Sequence, residues 1–311
     1  MTKTILSIDK LISQQMPILQ EHFEVIRLWR EDDPEKVIQE RAHDIAGVVS
    51  SLLPVSNTLI EALPNLEIIA NCAVGYNNID IDFCRKRGIA VTNTPNVLNN
   101  DTADVALLLM LNVMRRSVEG DAYLRAGLWQ SSGPLGLGSC LADKTVGIVG
   151  LGRIGKAIAG RVEAFGMTVI YNGRNKQPDQ PYEYFDNLEN MAKACDVLVA
   201  ICPGTAETEG LINHKILKAL GENGFFINAA RGSVVVQEDL IIALHNKEIA
   251  GAGLDVYWNE PNVPNELISM DNVVLTPHIG SATIETRAKM TEIVLGNLLA
   301  HFDGRALLTP V

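Results

Sequence analysis

Polar groups interrupt otherwise apolar strands at three places late in the chain: Arg231 in "INAARGSVV", Asp255 and Glu260 in "GLDVYWNEP", and His278 in "LTPHIGSAT". Each lies at or just past the C-terminal end of a predicted strand, where open α/β sheets bind ligands. A carbonyl that accepts a hydride becomes an alkoxide and needs a proton, which a histidine can supply near neutral pH. A carboxylate beside the histidine fixes the ring's tautomer and favours its protonated form. An arginine can clamp a carboxylate substrate and polarise its carbonyl. Alone, a histidine after a proline is an ordinary loop residue. With an arginine and two acids at neighbouring strand ends, it belongs to a set that could reduce a keto acid.

Such chemistry needs a hydride source. Gly150, Gly152 and Gly155 form GxGxxG between the strand "TVGIV" and the helix "RIGKAIAGRVEAFG". The first glycine permits a tight turn, the second lets the backbone approach a pyrophosphate, and the third lets helix and strand pack closely. The helix N-terminus, with Arg153 and Ile154, offers free N–H groups to the diphosphate. A bare strand–helix turn would not need all three glycines. The next strand ends in "VIYNGRNK", where an NAD site usually places an acid for the ribose hydroxyls. Here Arg174 and Lys176 offer charge-assisted donors to a 2′-phosphate, and Asn172 and Asn175 offer neutral ones. The bland alternative is a solvated turn at Asn172-Gly173. The pattern favours NADPH, with NADH as a usable second cofactor.

These groups require a scaffold. "TILSI", "GVVSSL", "LEIIANC" and "IAVTN" read as buried strands separated by amphipathic segments. A second series runs through "TVGIVG", "MTVIYN", "DVLVAIC", "GFFINAA", "GAGLDVY" and "NVVLTP". Such alternation builds parallel sheets covered by helices, and two series predict two α/β domains. In "VTNTPNVLNNDTAD", Pro95 breaks the first pattern, and Asn100 or Asp101 is placed to cap an apolar helix from Thr102 onward. After "HIGSATIET" a helical pattern runs to about Phe302 and can carry the chain back to the first domain.

Composition narrows the classes. The 311 residues are 47% hydrophobic and 20% charged, the balance of an ordinary globular protein. "MTKTILSID" has too short an apolar run for a signal peptide. The most apolar stretch, residues 103–114, fits a buried helix better than a membrane span. A net charge of −11 without a long basic run argues against nucleic acid as a partner. Cys72, Cys84, Cys140, Cys195 and Cys202 show no metal-binding spacing. They read as reduced thiols of a cytoplasmic protein, each a small core residue, and no metal site is expected.

Together "NCAVGYNNID", "VGIVGLGRIGKAIA", "CPGTAETEGLIN", "NAARGSVV", "GLDVYWNEP" and "LTPHIGSAT" resemble the D-isomer-specific 2-hydroxyacid dehydrogenases over nearly the whole chain. Within that family the chain looks most like the NADPH-using glyoxylate/hydroxypyruvate reductases and the hydroxyphenylpyruvate reductases. The resemblance implies His278 as acid/base, Glu260 as its partner and Arg231 as anchor of the substrate carboxylate. It implies that Asp255 faces the nicotinamide carboxamide and that Thr102 and Pro203 line the cofactor cleft. The backbone of Ala73, Val74 and Gly75 would hold the substrate carboxylate from the other domain. Two Rossmann-like domains are implied, with cofactor and substrate in the interdomain cleft. Residues 1–98 and 285–311 would form a discontinuous, flavodoxin-like substrate-binding domain, and residues 99–284 the NADP-binding domain. Relatives dimerise through the nucleotide-binding domains, and "LRAGLW", with Trp129, matches an arm that reaches toward the neighbouring subunit.

Two departures and several alternatives bear on this. Asn77 replaces an aspartate common in relatives, with little consequence in a loop that works through its backbone. Glu260, where formate dehydrogenases carry glutamine, speaks for hydroxyacid chemistry. The expected activity is NADPH-dependent reduction of a small 2-keto acid to the D-2-hydroxy acid. A hydroxyphenylpyruvate or phosphoglycerate-type dehydrogenase is the nearest alternative. A nucleotide-sensing, corepressor-like binding protein on the same fold could keep the same residues. A hydrolase would need a GxSxG elbow that the sequence lacks. "VVSSLLP" and the loop around Tyr76 are the expected substrate pocket, apolar enough for a small or an aromatic side chain.

Overall fold

The computed structural model describes residues 2–10 and 16–311. The chain divides into two compact units, Met1–Leu98 with Ala282–Val311, and Asn99–Ser281. In the first, β1 (Thr4–Ser7), β2 (Glu24–Arg27), β3 (Ile45–Ser50), β4 (Ile68–Asn71) and β5 (Ala90–Thr92) form a parallel sheet. Its order is β2-β1-β3-β4-β5, the flavodoxin-like arrangement. β1, β3 and β4 are buried at every position, which is why they read as unbroken apolar runs. The helix Ile284–Phe302 packs on this sheet, with Leu298 beside Gly47 of β3. Asn297 on that helix secures the tail, its side-chain oxygen accepting the amides of Leu308 and Thr309 at 2.9 and 3.1 Å.

The second unit holds β6 (Thr145–Val149), β7 (Thr168–Asn172), β8 (Glu183–Phe185) and β9 (Val197–Ala200). It continues through β10 (Phe225–Asn228), β11 (Gly251–Leu254) and β12 (Val273–Leu275). All pair in parallel, in the order β12-β11-β10-β9-β6-β7-β8. The direction of winding reverses between β6 and β9, a switch point of the Rossmann kind. Alternate residues of β9 feed different cores, as the two-residue strand period requires. Val197 and Val199 join Leu109 and Ile158, whereas Leu198 and Ala200 join Leu217 and Leu244. Helices therefore cover both faces.

The structure departs from the sequence expectations in three places. β2 and β8 add a strand to each series; both lie at a sheet edge and are mostly exposed or half-buried, so neither needs a continuous apolar run. The helix expected from Thr102 spans Asn99–Arg115, placing Asn100 and Asp101 inside its first turn rather than outside as caps. There the Asp101 carboxylate favours the positive helix end. Cys140 is exposed in an irregular loop, unlike the other four cysteines, which are buried. Burial pushes the thiols of Cys72 and Cys195 up to about 12 and that of Cys202 to about 11. All five thiols are free. Among the described residues no helix is long and apolar enough to cross a membrane.

Candidate active site

β6 ends in a turn at Gly150, whose φ of +102° suits glycine and strains other residues. A Cβ there would also stand 2.8 Å from the Cys202 Cα. Gly155 packs so closely on the Gly150 carbonyl that a side chain would overlap it. Gly152 differs: a Cβ would meet nothing within 4 Å, so space is open where the helix Arg153–Ala164 begins. Among the described residues no side chain caps that helix. Its first-turn amides, those of Arg153 and Ile154 included, make a positive end that suits a diphosphate.

β7 ends beside this turn, the Asn172 carbonyl accepting the Gly150 amide at 2.9 Å. The Asn172 side chain donates to the Phe185 carbonyl at 2.8 Å. It is thus tied to edge strand β8, whose carbonyl needs a donor. Arg174, Asn175 and Lys176 follow in the turn with exposed side chains.

The ends of β10, β11 and β12 carry the other candidates. Buried Asn228 shapes the turn after β10, accepting the Ala230 amide at 3.0 Å and donating to the Arg231 carbonyl at 3.1 Å. The Arg231 stem lies against Gly204, next to Pro203 in the segment after β9, where a Cβ would come within 2.9 Å of its Cγ. Burial lowers the Arg231 guanidinium pKa and the charge of Glu260 opposes that shift. Arginine remains cationic at neutral pH in any case.

Asp255 follows β11 and is only 2% exposed. It accepts the Thr276 hydroxyl at 2.7 Å and the amides of Ile279 and Gly280 at 2.8 and 2.9 Å. Burial pushes its carboxyl above the usual range against these donors. Both its oxygens hold the turn after β12, whose amides need acceptors. Thr102 is buried, and its hydroxyl donates to the Gly280 carbonyl at 2.9 Å, supporting the same turn.

That turn presents His278, at φ +53°, an uncommon conformation for a residue with a side chain. Its amide is fixed by the carbonyls of Asp255 and Thr276 at 2.9 and 3.0 Å. Nδ1 stands 2.7 Å from Glu260 Oε2, and Glu260 Oε1 accepts the Tyr257 amide at 3.0 Å. Nε2 has no partner among the described residues. The Tyr257 hydroxyl lies 3.2 and 2.9 Å from the Leu254 and Thr276 carbonyls, joining the ends of β11 and β12. Burial works to raise the Glu260 carboxyl. The hydrogen bond and charge of His278, the Tyr257 amide and the charge of Arg231 outweigh it and hold the group below the usual carboxylate range. Glu260 therefore meets His278 directly and Arg231 through its charge. Asn228, Thr276 and Tyr257 also shape the site, and no motif in the sequence marks them. Their one signal is polarity at the end of an apolar strand.

In the other unit the carbonyls of Ala73, Val74 and Gly75 accept from the Thr94 amide and from the side chains of Asn93 and Asn71, at 2.9, 2.9 and 2.8 Å. Their amides have no acceptor among the described residues, which suits an anion. Leu52, Leu53 and Tyr76 of that unit are exposed, as is Trp129 in the helix Leu128–Ser132 of the second unit.

Residues 107–280 match the profile described as D-isomer specific 2-hydroxyacid dehydrogenase, NAD binding domain. Over 294 residues the chain is 43% identical to glyoxylate/hydroxypyruvate reductase A of Arabidopsis thaliana, across 94% of both chains. It is 44% identical to hydroxyphenylpyruvate reductase of Plectranthus scutellarioides, again across 94% of both. A crystal structure of an NADPH-dependent glyoxylate/hydroxypyruvate reductase from Sinorhizobium meliloti, in complex with NADP and malonate, superposes with a TM-score of 0.92. It is 42% identical, and the match covers 100% of this chain and 97% of that one. Likeness this long, through strands and turns alike, makes the chain a member of the D-isomer-specific 2-hydroxyacid dehydrogenase family.

Proposed function

We propose that the protein reduces a small 2-keto acid of the glyoxylate or hydroxypyruvate kind with NADPH, giving the D-2-hydroxy acid where the product is chiral. The 2.7 Å pairing of His278 with ionised Glu260 carries this reading, because it leaves Nε2 to give a proton to the substrate's carbonyl oxygen. When bound, NADPH supplies the hydride to the carbonyl carbon. Arg231 clamps the substrate carboxylate and polarises the neighbouring carbonyl. In the first unit the amides of Ala73, Val74 and Gly75 are donors suited to a carboxylate. The glycine turn takes the diphosphate, and Arg174 and Lys176 take the 2′-phosphate. NADH lacks that phosphate and serves as the weaker cofactor. Residues 1–98 and 285–311 then serve the substrate, and 99–284 the cofactor.

The names of the relatives support the same reading: two of the three are glyoxylate/hydroxypyruvate reductases, and one of these is described as NADPH-dependent. A homodimer in the cytoplasm belongs to it as well. Exposed Leu124, Trp129 and Leu137 give a second copy apolar surface to cover, and free thiols suit a reducing compartment. The test is oxidation of NADPH and NADH with glyoxylate, hydroxypyruvate, 4-hydroxyphenylpyruvate and pyruvate. The two small acids with NADPH should give the highest kcat/KM. Turnover with none of the four would leave a nucleotide-binding protein without this activity, and preference for the aromatic acid would move the substrate class.

Glu260→Gln offers a second check. Glutamine keeps the shape of the Nδ1 contact but removes the carboxylate charge beside the ring that must pass a proton to the substrate. The kcat for reduction should therefore fall while binding of NADPH is unchanged. A wild-type kcat would mean that the carboxylate does not support proton supply.

A further inference from the structure

The turn between β7 and β8 presents Arg174, Asn175 and Lys176 in an exposed row. On a free turn, long cationic side chains would give up much conformational freedom to hold a phosphate. Both feet of this turn are fixed. On one side the Tyr184 hydroxyl donates to the Gly173 carbonyl at 3.1 Å. On the other, the Gln177 backbone amide donates to the Tyr171 hydroxyl at 2.7 Å. The two tyrosine rings pack 5.2 Å apart between centroids, so the feet share one support. The Gln177 side chain goes further and donates to the Leu151 carbonyl at 2.8 Å. Leu151 is buried and lies between Gly150 and Gly152. A single side chain thus bridges the basic turn to the glycine turn.

We propose that Gln177 is a positioning residue for cofactor choice, fixing the basic turn relative to the diphosphate turn so that a ligand carrying both a diphosphate and a 2′-phosphate is preferred. The inference rests on the reading that Arg174 and Lys176 bind the 2′-phosphate. Covalent structure limits the separation of the two anionic groups in one dinucleotide. A bridge that holds the two protein sites at a matching separation favours the ligand that carries both groups, and it avoids the ordering cost that a loose turn would meet on binding.

The probes are 2′-phospho-ADP-ribose and ADP-ribose, which share the diphosphate and differ in the 2′-phosphate, titrated calorimetrically into the whole enzyme. Gln177→Met keeps the side chain's length without its donor, and Tyr184→Phe frees the other foot. In each variant the preference for the 2′-phosphorylated probe should fall by roughly fivefold, the worth of one ordinary hydrogen bond. KM for NADPH should rise with kcat held. In an Arg174→Ala/Lys176→Ala background, Gln177→Met should change the preference no further, since no cation remains to be positioned. A purely structural role would weaken both probes alike and do so in either background, which overturns the proposal. Wild type without any preference would remove the underlying reading. A preference lost with the two cations but intact in Gln177→Met would overturn this inference alone.

Discussion

His278→Ala is expected to slow keto-acid reduction by a factor on the order of 10²–10⁴, the usual worth of a positioned proton donor. Binding of NADPH should survive, because the glycine turn and the basic turn take their shape from β6, β7 and their neighbours, not from the imidazole. Fluorescence titration of NADPH alongside kcat separates the two effects. His278 sits at φ +53°, so alanine also disturbs the backbone preference at that position. Asparagine tolerates this conformation and cannot act as the acid. His278→Asn should therefore be about as slow as His278→Ala while keeping the wild-type melting temperature. Full turnover by either variant at neutral pH would refute the assignment of the proton donor.

The second large effect concerns the cofactor. Each charge-assisted hydrogen bond from Arg174 to a 2′-phosphate is worth about 1.5–3 kcal/mol. Arg174→Ala should then lower kcat/KM for NADPH by about 10–100-fold, at a factor of ten for every ~1.4 kcal/mol. NADH has nothing for that guanidinium to hold, so its kinetics should change far less. Lys176 can compensate in part, and the double alanine variant should take the NADPH-to-NADH ratio lower still. Arg174→Asp should depress it too, by repelling the phosphate while offering the NADH ribose an acceptor. A ratio near one in the wild type, or one that survives the double change, would make the basic residues a solvated turn.

What the sequence made legible followed from local rules. β6 and the glycines after it could be placed because strand, turn and helix each leave a short-range pattern, and the structure gives Gly150, Gly152 and Gly155 three different environments. The inner strands could be read because burial on both faces demands apolar runs. β2 and β8 could not, since an edge strand with one open side accepts the residues of a loop. Polar contacts between distant positions were equally hidden. Thr102 and Gly280 are separated by 178 positions, and Gln177 and Leu151 by 26, with no periodicity to announce either pair. For the same reason Asp255 was legible as an acid at a strand end, but its burial and its three turn-holding bonds were not.

The interrupted layout of the first unit has a consequence for synthesis. Asn99–Ser281 is one unbroken stretch, so that unit can close once Ser281 has left the ribosome. β1 to β5 are made earlier but must wait. The helix Ile284–Phe302, which packs against β3 and β4 with Leu298 near Gly47, comes after the entire second unit. Until it arrives, apolar surface on the older sheet stays bare. β1 to β5 thus precede the second unit in synthesis, yet their sheet is completed only after it.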